Sequence, residues 1–520
     1  MPLTSMKAIV TNKPALAAKY GAAGAATIDQ ALQSLIAADA ARGLTTVVFD
    51  LQDVDQMQAV GAAVVIGPQD ERGAKLAVDS IHNAHQPDYI MLLDGPDVVP
   101  HVALHRIPGV TDADTTTDSD LPYASSAGWS RQASSYLAVT RVVGRLPAAR
   151  GETNPAKLVT LIDNSIAHVS QAAAGYKNYF AIAALKWNAS THLSLNSVFG
   201  TSAALVTSPN AGHPSIDTSM SQLTHFINCH GSSADWRFYG ENLNNFPIAM
   251  ETTGFVPVNI SVGAVVAAEC CFGAQLYDYL LSPGAHMPIC LTYLQMGACA
   301  VMGSTNISYG PASANGQADY MAQYFLEEIL KGASTGRAML QARQTFVQNQ
   351  TMSGPINLKT LAQFLLLGDP SLHPVVLNKE EAGGVEDTVG LPKTIAAVAT
   401  DTESERKVRR SVLDAEGKAL ASSASKPGKE ANVDSPAVIR FLETARAKGF
   451  QGKAKVFSVT GGANFRETAK AFNRFREVAI VMEAEERHDE IGRKLFTSTK
   501  AIVGHILGDG VFMIEECESK

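Results

Sequence analysis

Two periodicities alternate in the hydrophobic pattern of residues 7–150, and together they predict strands that alternate with helices. Apolar residues spaced three and four apart predict helices at residues 28–41 and 74–85. This order of elements is typical of a doubly wound, mostly parallel α/β sheet. Short apolar runs with β-branched residues predict the strands, at residues 8–10, 45–50, 62–66, 89–93 and 139–144.

The same pattern starts again near Leu158 and continues to about residue 378. Helical spacing follows at residues 319–331 and 335–348. We therefore predict two α/β subdomains, at residues 1–157 and 158–378. The strands predicted for the second subdomain are residues 158–162, 225–228, 262–268 and 298–302.

Residues 379–520 differ in character, because they hold about half of all the charged side chains of the protein. Mixed charge with Gly and Ser predicts a linker at residues 379–435. Residues 436–520 are predicted to form a small α+β module. Its first helix, residues 436–448, is predicted to begin after Ser435, which would serve as the N-cap. A second helix is predicted at residues 464–475, with strands at 455–459, 477–482, 501–504 and 510–514. We expect this module either to bind a regulatory or substrate protein or to mask a functional site.

The composition narrows the classes of function. The 520 residues allow two to four domains, and the net charge of −8 argues against a nucleic-acid or anionic-membrane partner. We expect neither a signal peptide nor a membrane-spanning segment. Five of the six cysteines lie in one central region, unlike a disulfide framework, so we expect reduced thiols and a cytoplasmic location.

Reactive side chains follow two of the predicted strands. The run at residues 223–229 leads into His230-Gly231, and the run at residues 262–268 leads into Glu269-Cys270-Cys271-Phe272-Gly273. Because parallel strands end at the same edge of a sheet, we expect imidazole beside thiol. A free thiol has a pKa of about 8.5, so a neighbouring imidazole is needed to form the thiolate and later to protonate the leaving amine. This constellation is typical of a cysteine nucleophile.

Gly231 adds to this interpretation. A glycine after the histidine lets the backbone approach a scissile carbonyl, so that its N–H can face the developing oxyanion. The N–H of the nucleophile itself would be the second donor. Loss of one such donor typically costs about 10²–10³ in rate.

The motifs together resemble the gingipain family, which belongs to the caspase, legumain, clostripain and separase group of cysteine peptidases. The resemblance covers most of residues 1–378 in order and implies a caspase-like fold and a cysteine endopeptidase that acts on proteins or peptides. It implies no cofactor and no metal. The motifs that carry it are His230-Gly231-Ser232-x-x-x-Trp236, Cys270-x-x-Gly273, Ser304-Thr305-Asn306, Leu367-Gly368-Asp369-Pro370-Ser371-Leu372 and the strands around residues 88–95 and 143–147.

The resemblance also implies roles for residues. The Cys-x-x-Gly spacing selects Cys270 as nucleophile, whereas a caspase-like Cys-x-Gly spacing would select Cys271. Asp163, after the predicted strand 158–162, is expected to orient His230 or contact the pocket, with a helix N-cap as the alternative. The substrate-binding candidates are Ser304, Tyr309 and Trp236. The preferred residue before the scissile bond stays open among Arg, Lys, Asp and Asn.

A binding module without catalysis and two kinds of metal site are the alternatives to the peptidase. Cys229 stands where gingipains have glycine, which favours a catalytically silent binding or signalling module. The Asp/Thr-rich loop at residues 112–120 is expected to be a solvated loop, with calcium binding as the alternative. Zinc is a further alternative, although the usual paired spacing is missing from its candidate ligands, His225, Cys229, His230, Cys270 and Cys271.

Overall fold

A computed structural model describes residues 5–209, 218–243, 245–255, 259–377, 411, 414–415, 417–422, 424–460, 476–489, 492–507 and 510–520. The strands are β1 Ser5–Thr11, β2 Leu44–Asp50, β3 Tyr89–Leu93, β4 Val102–His105, β5 Thr116–Ser119, β6 Val143–Leu146, β7 Gln171–Ala172, β8 Tyr179–Ala184, β9 Leu205–Ser208, β10 Thr224–Asn228, β11 His230–Gly231, β12 Arg237–Tyr239, β13 Ile248–Glu251, β14 Val265–Ala268, β15 Ala300–Ser304, β16 Tyr309–Gly310, β17 Phe364–Leu367, β18 Val375–Val376, β19 Lys426–Glu430, β20 Lys455–Thr460, β21 Glu477–His488, β22 Lys494–Leu507 and β23 Gly510–Ser519. The helices are α1 Lys13–Ala41, α2 Val54–Ala59, α3 Glu71–His85, α4 Pro155–Ala167, α5 Ala173–Lys177, α6 Asn188–Phe199, α7 Ile289–Gln295, α8 Gln317–Leu330, α9 Thr335–Asn349, α10 Pro355–Gln363 and α11 Pro436–Ala447.

One ten-stranded sheet runs through both predicted subdomains, in the order β2-β1-β3-β6-β17-β15-β14-β10-β8-β9. Every neighbouring pair is parallel except β15 with β17. The two halves join where Leu367 of β17 pairs with Arg145 of β6. The predicted doubly wound, mostly parallel architecture is therefore confirmed, with a single continuous sheet in place of two.

The central strands of this sheet are buried on both faces. All four residues of β14 and all five of β10 are buried, as expected where helices cover both sides of a parallel sheet. Only the residues at the ends of such strands can contact a substrate. The carboxyl ends of β10 and β14 are consequently the places where reactive side chains can emerge.

Two strand predictions are wrong. Residues 158–162 belong to α4, which begins after the N-cap Asn154 and buries Leu158, Leu161, Ile162 and Ser165 on one face. That spacing of three and four is helical, and the short apolar run concealed it. Residues 62–66 form no strand, and Ile66 is 91% exposed. An apolar run without a partner strand to cover it stays in loop conformation.

The last part of the chain forms a six-stranded antiparallel sheet, in the order β16-β23-β22-β21-β20-β19. The predicted strands and the helix with its Ser435 cap are confirmed, since the Ser435 Oγ accepts a hydrogen bond from the Val438 N–H. β19 lies in the range predicted as linker, which is a correction, and predicted helix 464–475 lies outside the described residues. β16 comes from the second subdomain, so the tail continues its backbone hydrogen bonding.

The side chains of the tail sheet alternate between two cores with the period of a strand. On β21, Val478 and Ile480 pack in the main core of the protein, while Ala479 and Val481 pack with Phe441 of α11 in a second cluster. The tail sheet is thus a layer between α11 and the rest of the molecule. Among the described residues, no helix is long and apolar enough to cross a membrane.

Candidate active site

The two strands that carry the reactive residues are neighbours. β10 and β14 pair in parallel, from Thr224 with Val265 to Ile227 with Ala268. The Glu269 N–H then donates to the Ile227 carbonyl oxygen at 2.9 Å, which extends the register by one residue. His230 and the two cysteines therefore follow adjacent strand ends.

Gly231 touches the backbone of Cys271. A methyl group built on Gly231 would lie 1.8 Å from the Cys271 carbonyl oxygen, so no larger residue fits there. The backbone after the histidine and the backbone of the second cysteine are therefore in direct contact. This close approach explains why the residue after His230 is glycine.

His230 is held by a carboxylate that the sequence did not indicate. Its Nε2 lies 2.7 Å from Glu241 Oε2. Burial raises the pKa of Glu241, but the hydrogen bond from His230 and the charge of Lys186 outweigh burial and lower it. An ionised carboxylate can only accept, so Nε2 donates and Nδ1 carries the lone pair. Among the described residues, Nδ1 has no hydrogen-bond partner.

The imidazole of His230 lies among aromatic rings. Its centroid is 4.4 Å from the Trp187 ring and 4.5 Å from that of Phe496, which stacks on it at 28°. Burial lowers the pKa of His230, while the hydrogen bond to Glu241 raises it, and the net shift is downward. His230 is only 1% exposed.

The Cys270 side chain faces the backbone at the end of β10. Its Sγ accepts from the Cys229 N–H at 3.4 Å and donates to the Ile227 carbonyl oxygen at 3.8 Å. Its side chain is fully buried beside β10, and burial raises its pKa well above the usual value. A thiol that faces its neighbouring strand lacks access to a substrate.

Cys271 faces the other way. Its Sγ accepts from the Ser308 N–H at 3.2 Å and donates to the Ser308 carbonyl oxygen at 3.5 Å, and burial raises its pKa to about 12. The Cys271 N–H donates to the carbonyl oxygen of Lys520 at 2.9 Å. The next residue, Phe272, has φ of 57°. A non-glycine residue in the left-handed region is strained, and such strain clusters at functional sites.

The remaining residues that were predicted for the site make the following contacts. The expected role of Asp163 in orienting His230 is wrong, because Asp163 is exposed on α4 and the partner of His230 is Glu241. Trp236 is half-buried and packs on His286 with ring centroids 4.3 Å apart. Ser304 donates to the Asn306 carbonyl oxygen at 2.5 Å and so supports the loop before β16.

Tyr309 was expected to bind substrate, but its side chain is fully buried in the core. Its backbone lies in β16, and its Oη donates to Asp112 Oδ2 at 2.8 Å. Asp112 and Asp114 both pair with the buried ammonium of Lys359, 2.6 Å from Asp114. The acidic start of the 112–120 loop is therefore an ion-pair cluster with a protein cation.

His225, the first candidate zinc ligand, has no ring nitrogen left to bind a metal. His225 uses both ring nitrogens within the protein, with Nδ1 2.9 Å from Tyr293 Oη and Nε2 3.0 Å from the Gln222 carbonyl oxygen. Within the described ranges, no group of three or more His, Cys, Asp and Glu side chains is arranged to hold a metal.

A thiol and a carboxylate-bound imidazole, which follow adjacent strand ends of a mostly parallel α/β sheet here, are the groups that a cysteine peptidase uses. Residues 9–375 match the family model described as peptidase family C25, and the chain belongs to that family, the gingipain family. The resemblance seen in the sequence is therefore confirmed.

Solved structures with a similar fold include gingipain R (RgpB), an Arg-specific cysteine proteinase, with TM-score 0.48 and 11% identity over 99% of this chain and 98% of that one. The complex of Porphyromonas gingivalis RgpB pro- and mature domains gives TM-score 0.48 and 11% identity over 98% and 99%. The Saccharomyces cerevisiae separase–securin complex gives TM-score 0.28 and 13% identity over 44% of this chain and 14% of that one. A search of curated proteins found no match.

Proposed function

We propose that this cysteine peptidase is an endopeptidase that cleaves through a dyad of His230 and Cys271. One observation carries the proposal: the Cys271 N–H donates to a main-chain carbonyl oxygen, that of Lys520, at 2.9 Å. A nucleophile's own N–H is one donor of the oxyanion hole in this chemistry. The main-chain oxygen of Lys520 lies at that N–H, where the oxygen of a scissile carbonyl would lie.

The same observation favours Cys271 over Cys270 as nucleophile. The Cys271 thiol contacts Ser308, and the Ser308 carbonyl oxygen also accepts the Lys520 N–H at 2.9 Å. The Cys271 thiol and the Lys520 backbone therefore contact the same group, the Ser308 carbonyl oxygen. The Cys270 thiol instead faces the backbone of β10. The Cys-x-x-Gly spacing favours Cys270 instead, and the paired substitutions below distinguish the two.

The catalytic cycle follows from these groups. The proton of the Cys271 thiol passes to His230 Nδ1, the thiolate bonds to the carbonyl carbon, and the oxyanion accepts from the Cys271 N–H. The imidazolium then protonates the leaving amine as the C–N bond breaks, and water hydrolyses the thioester. We assign Gly231 N–H as the second oxyanion donor. Glu241 is a positioning residue that fixes the tautomer of His230.

The structure holds the thiol in an unreactive state. With a pKa of about 12, the thiolate fraction of Cys271 at pH 7 is on the order of 10⁻⁵. Turnover requires the imidazole to become the partner of this thiol in an open cleft. We propose that the protein is a regulated peptidase, and that it works in the cytoplasm, where its six free cysteines stay reduced.

Paired substitutions test the nucleophile. Cys271→Ala is expected to abolish cleavage of a fluorogenic peptide library, while Cys270→Ala, the matched control one residue away, retains turnover if its unfolding temperature is unchanged. Loss of turnover only in Cys270→Ala would move the nucleophile back by one residue. Peptide binding without turnover in the unaltered chain would favour the silent binding module that Cys229 suggests.

A further inference from the structure

The last residues of β23 and Lys520 lie in the cleft as a bound peptide would. β23 adds antiparallel to β16, with Ser519 opposite Tyr309 and Glu518 opposite Gly310. The Lys520 N–H donates to the Ser308 carbonyl oxygen, and the Lys520 carbonyl oxygen accepts from the Cys271 N–H, each at 2.9 Å. Strand addition to an exposed edge is a common mode of peptide recognition. Lys520 thus stands in the position whose carbonyl the nucleophile attacks.

The side chain of Lys520 enters a buried acidic pocket. Its Nζ pairs with Glu269 and lies 2.7 Å from Asp319 Oδ1, and both carboxylate side chains are 0% exposed. The Trp187 ring centroid is 5.9 Å from the ammonium. A buried carboxylate that is ionised needs a cation beside it, so the pocket favours a basic occupant over a neutral one of the same shape.

The pKa shifts fit a pocket in which Glu269 is the carboxyl group that takes up a proton more readily and Lys520 keeps its charge. Burial and the charge of Asp319 raise the pKa of Glu269 well above its usual value, and Lys520 only partly opposes them. Burial lowers the pKa of Lys520, but Asp319 and Glu269 outweigh it, so the net shift is upward. Lys520 therefore stays charged in the pocket.

Gly310 gives the pocket its room. A methyl group built on Gly310 would lie 2.2 Å from Cε of Lys520 and 2.7 Å from its Nζ. The pocket thus accommodates a long unbranched stem only because residue 310 lacks a side chain. The pocket formed by Glu269, Asp319 and Gly310 has the depth and the charge to hold a lysine side chain.

The tail also covers the catalytic groups. Phe496 of β22 stacks on His230, and Ser232 Oγ donates to the Leu495 carbonyl oxygen at 2.8 Å. Lys186, near the Trp187 wall, pairs with Glu518 of β23. Cys271 is left 4% exposed. A substrate cannot enter while β22 and β23 lie there.

We propose that β22, β23 and Lys520 are a tethered occupant of the active site, held in place by the pairing of the Lys520 ammonium with Glu269 and Asp319. This inference rests on the proposed peptidase function and adds its regulation by the chain's own tail. Activity requires that β23 leave β16. The tail module is then a mask for the active site.

The first experiment compares Lys520→Met, which keeps length and loses charge, with Lys455→Met, an exposed lysine of the same tail. A fluorogenic peptide with lysine before the leaving group reports kcat/KM. Lys520→Met is expected to raise kcat/KM for the lysine peptide at least tenfold, and Lys455→Met to leave it unchanged.

The outcomes separate the two proposals. Cys271-dependent turnover that is equal in Lys520→Met and in the unaltered chain would overturn the inference while leaving the peptidase intact. Calorimetry with a synthetic peptide of residues 515–520 needs no turnover. Cys271→Ala with Lys520→Met should bind it, and Cys271→Ala alone should not. Equal binding by both proteins contradicts the tethered occupant even if catalysis is absent.

Discussion

Glu241→Gln is the substitution that best isolates how the site activates its histidine. Glutamine keeps the shape and the acceptor oxygen that His230 Nε2 meets at 2.7 Å, but removes the charge. The carboxylate is 9% exposed and its pKa is held low by His230 and Lys186 despite burial, so the wild-type group is ionised at neutral pH. The change therefore removes a negative charge beside the imidazolium that forms during catalysis.

The magnitude follows from Coulomb's law. At about 4 Å between charge centres and an effective dielectric of about 20, the attraction is about 4 kcal/mol. Solvent that enters with a substrate reduces it, and we take about 2–4 kcal/mol. Since about 1.36 kcal/mol corresponds to tenfold, kcat is expected to fall roughly 30- to 900-fold.

The assay measures kcat and KM against pH for the lysine peptide in the Lys520→Met background. Because Glu241 favours the charged imidazole, its loss moves the limb of the profile that reports His230 to lower pH. KM should change less than kcat, because Glu241 contacts His230 directly and is linked to β23 only through Lys186. Glu328→Gln, which loses only a surface pair with Lys331, is the matched control.

A purely structural role would give a different result. If Glu241→Gln lowered activity through misfolding, its unfolding temperature would fall and the pH profile would keep its shape. A variant with unchanged kcat and an unchanged profile would refute the assignment of Glu241 as the positioning residue. Either outcome would leave Glu241 as a hydrogen-bond partner of His230 that has no separate part in catalysis.

Three further substitutions test the surroundings of the site. Asp120→Asn leaves the buried guanidinium of Arg145 unpaired and is expected to cost about 3–5 kcal/mol in urea unfolding. Burial raises the pKa of Asp120, but the charge of Arg145 lowers it by more, so the net shift is downward. The stability that this pair contributes is therefore present above about pH 4 and is lost as pH falls through the folded-state pKa. The variant, which lacks the carboxylate, should lose less stability over the same pH range. Lys359→Met should cost about 3–5 kcal/mol, because it strands the buried Asp112, and an Asp112→Asn second change should recover part of it. Phe441→Ala should remove about 3–5 kcal/mol from the α11 cluster and raise peptidase activity by loosening the tail. Unchanged unfolding curves, or a looser tail without higher activity, would contradict these expectations.

The sequence predicted the features that depend on local pattern. The apolar runs before His230 and Cys270 were long and regular enough to identify β10 and β14, and their shared edge followed from parallel topology. The helix at residues 158–162 was missed because four apolar residues in five fit either period.

The residues missed at the site are those that only tertiary contacts bring in. Glu241 lies in the segment between β12 and β13, and no periodicity marks it as the partner of His230. Lys520 is 251 residues from Glu269 in sequence, and charge spacing cannot predict such a pair. Our proposal of Cys271 in place of Cys270 rests on side-chain direction after the end of β14, which reverses from one residue to the next.

The location of a covalent adduct tests the central claim most directly. A lysyl acyloxymethyl ketone is added to the unaltered chain and to Lys520→Met, and peptide mass spectrometry locates the modified residue. We predict an adduct on the Cys271 thiol that forms at least tenfold faster in Lys520→Met. An adduct on Cys270, or equal rates in the two proteins, would contradict a Cys271 nucleophile behind a lysine-filled pocket.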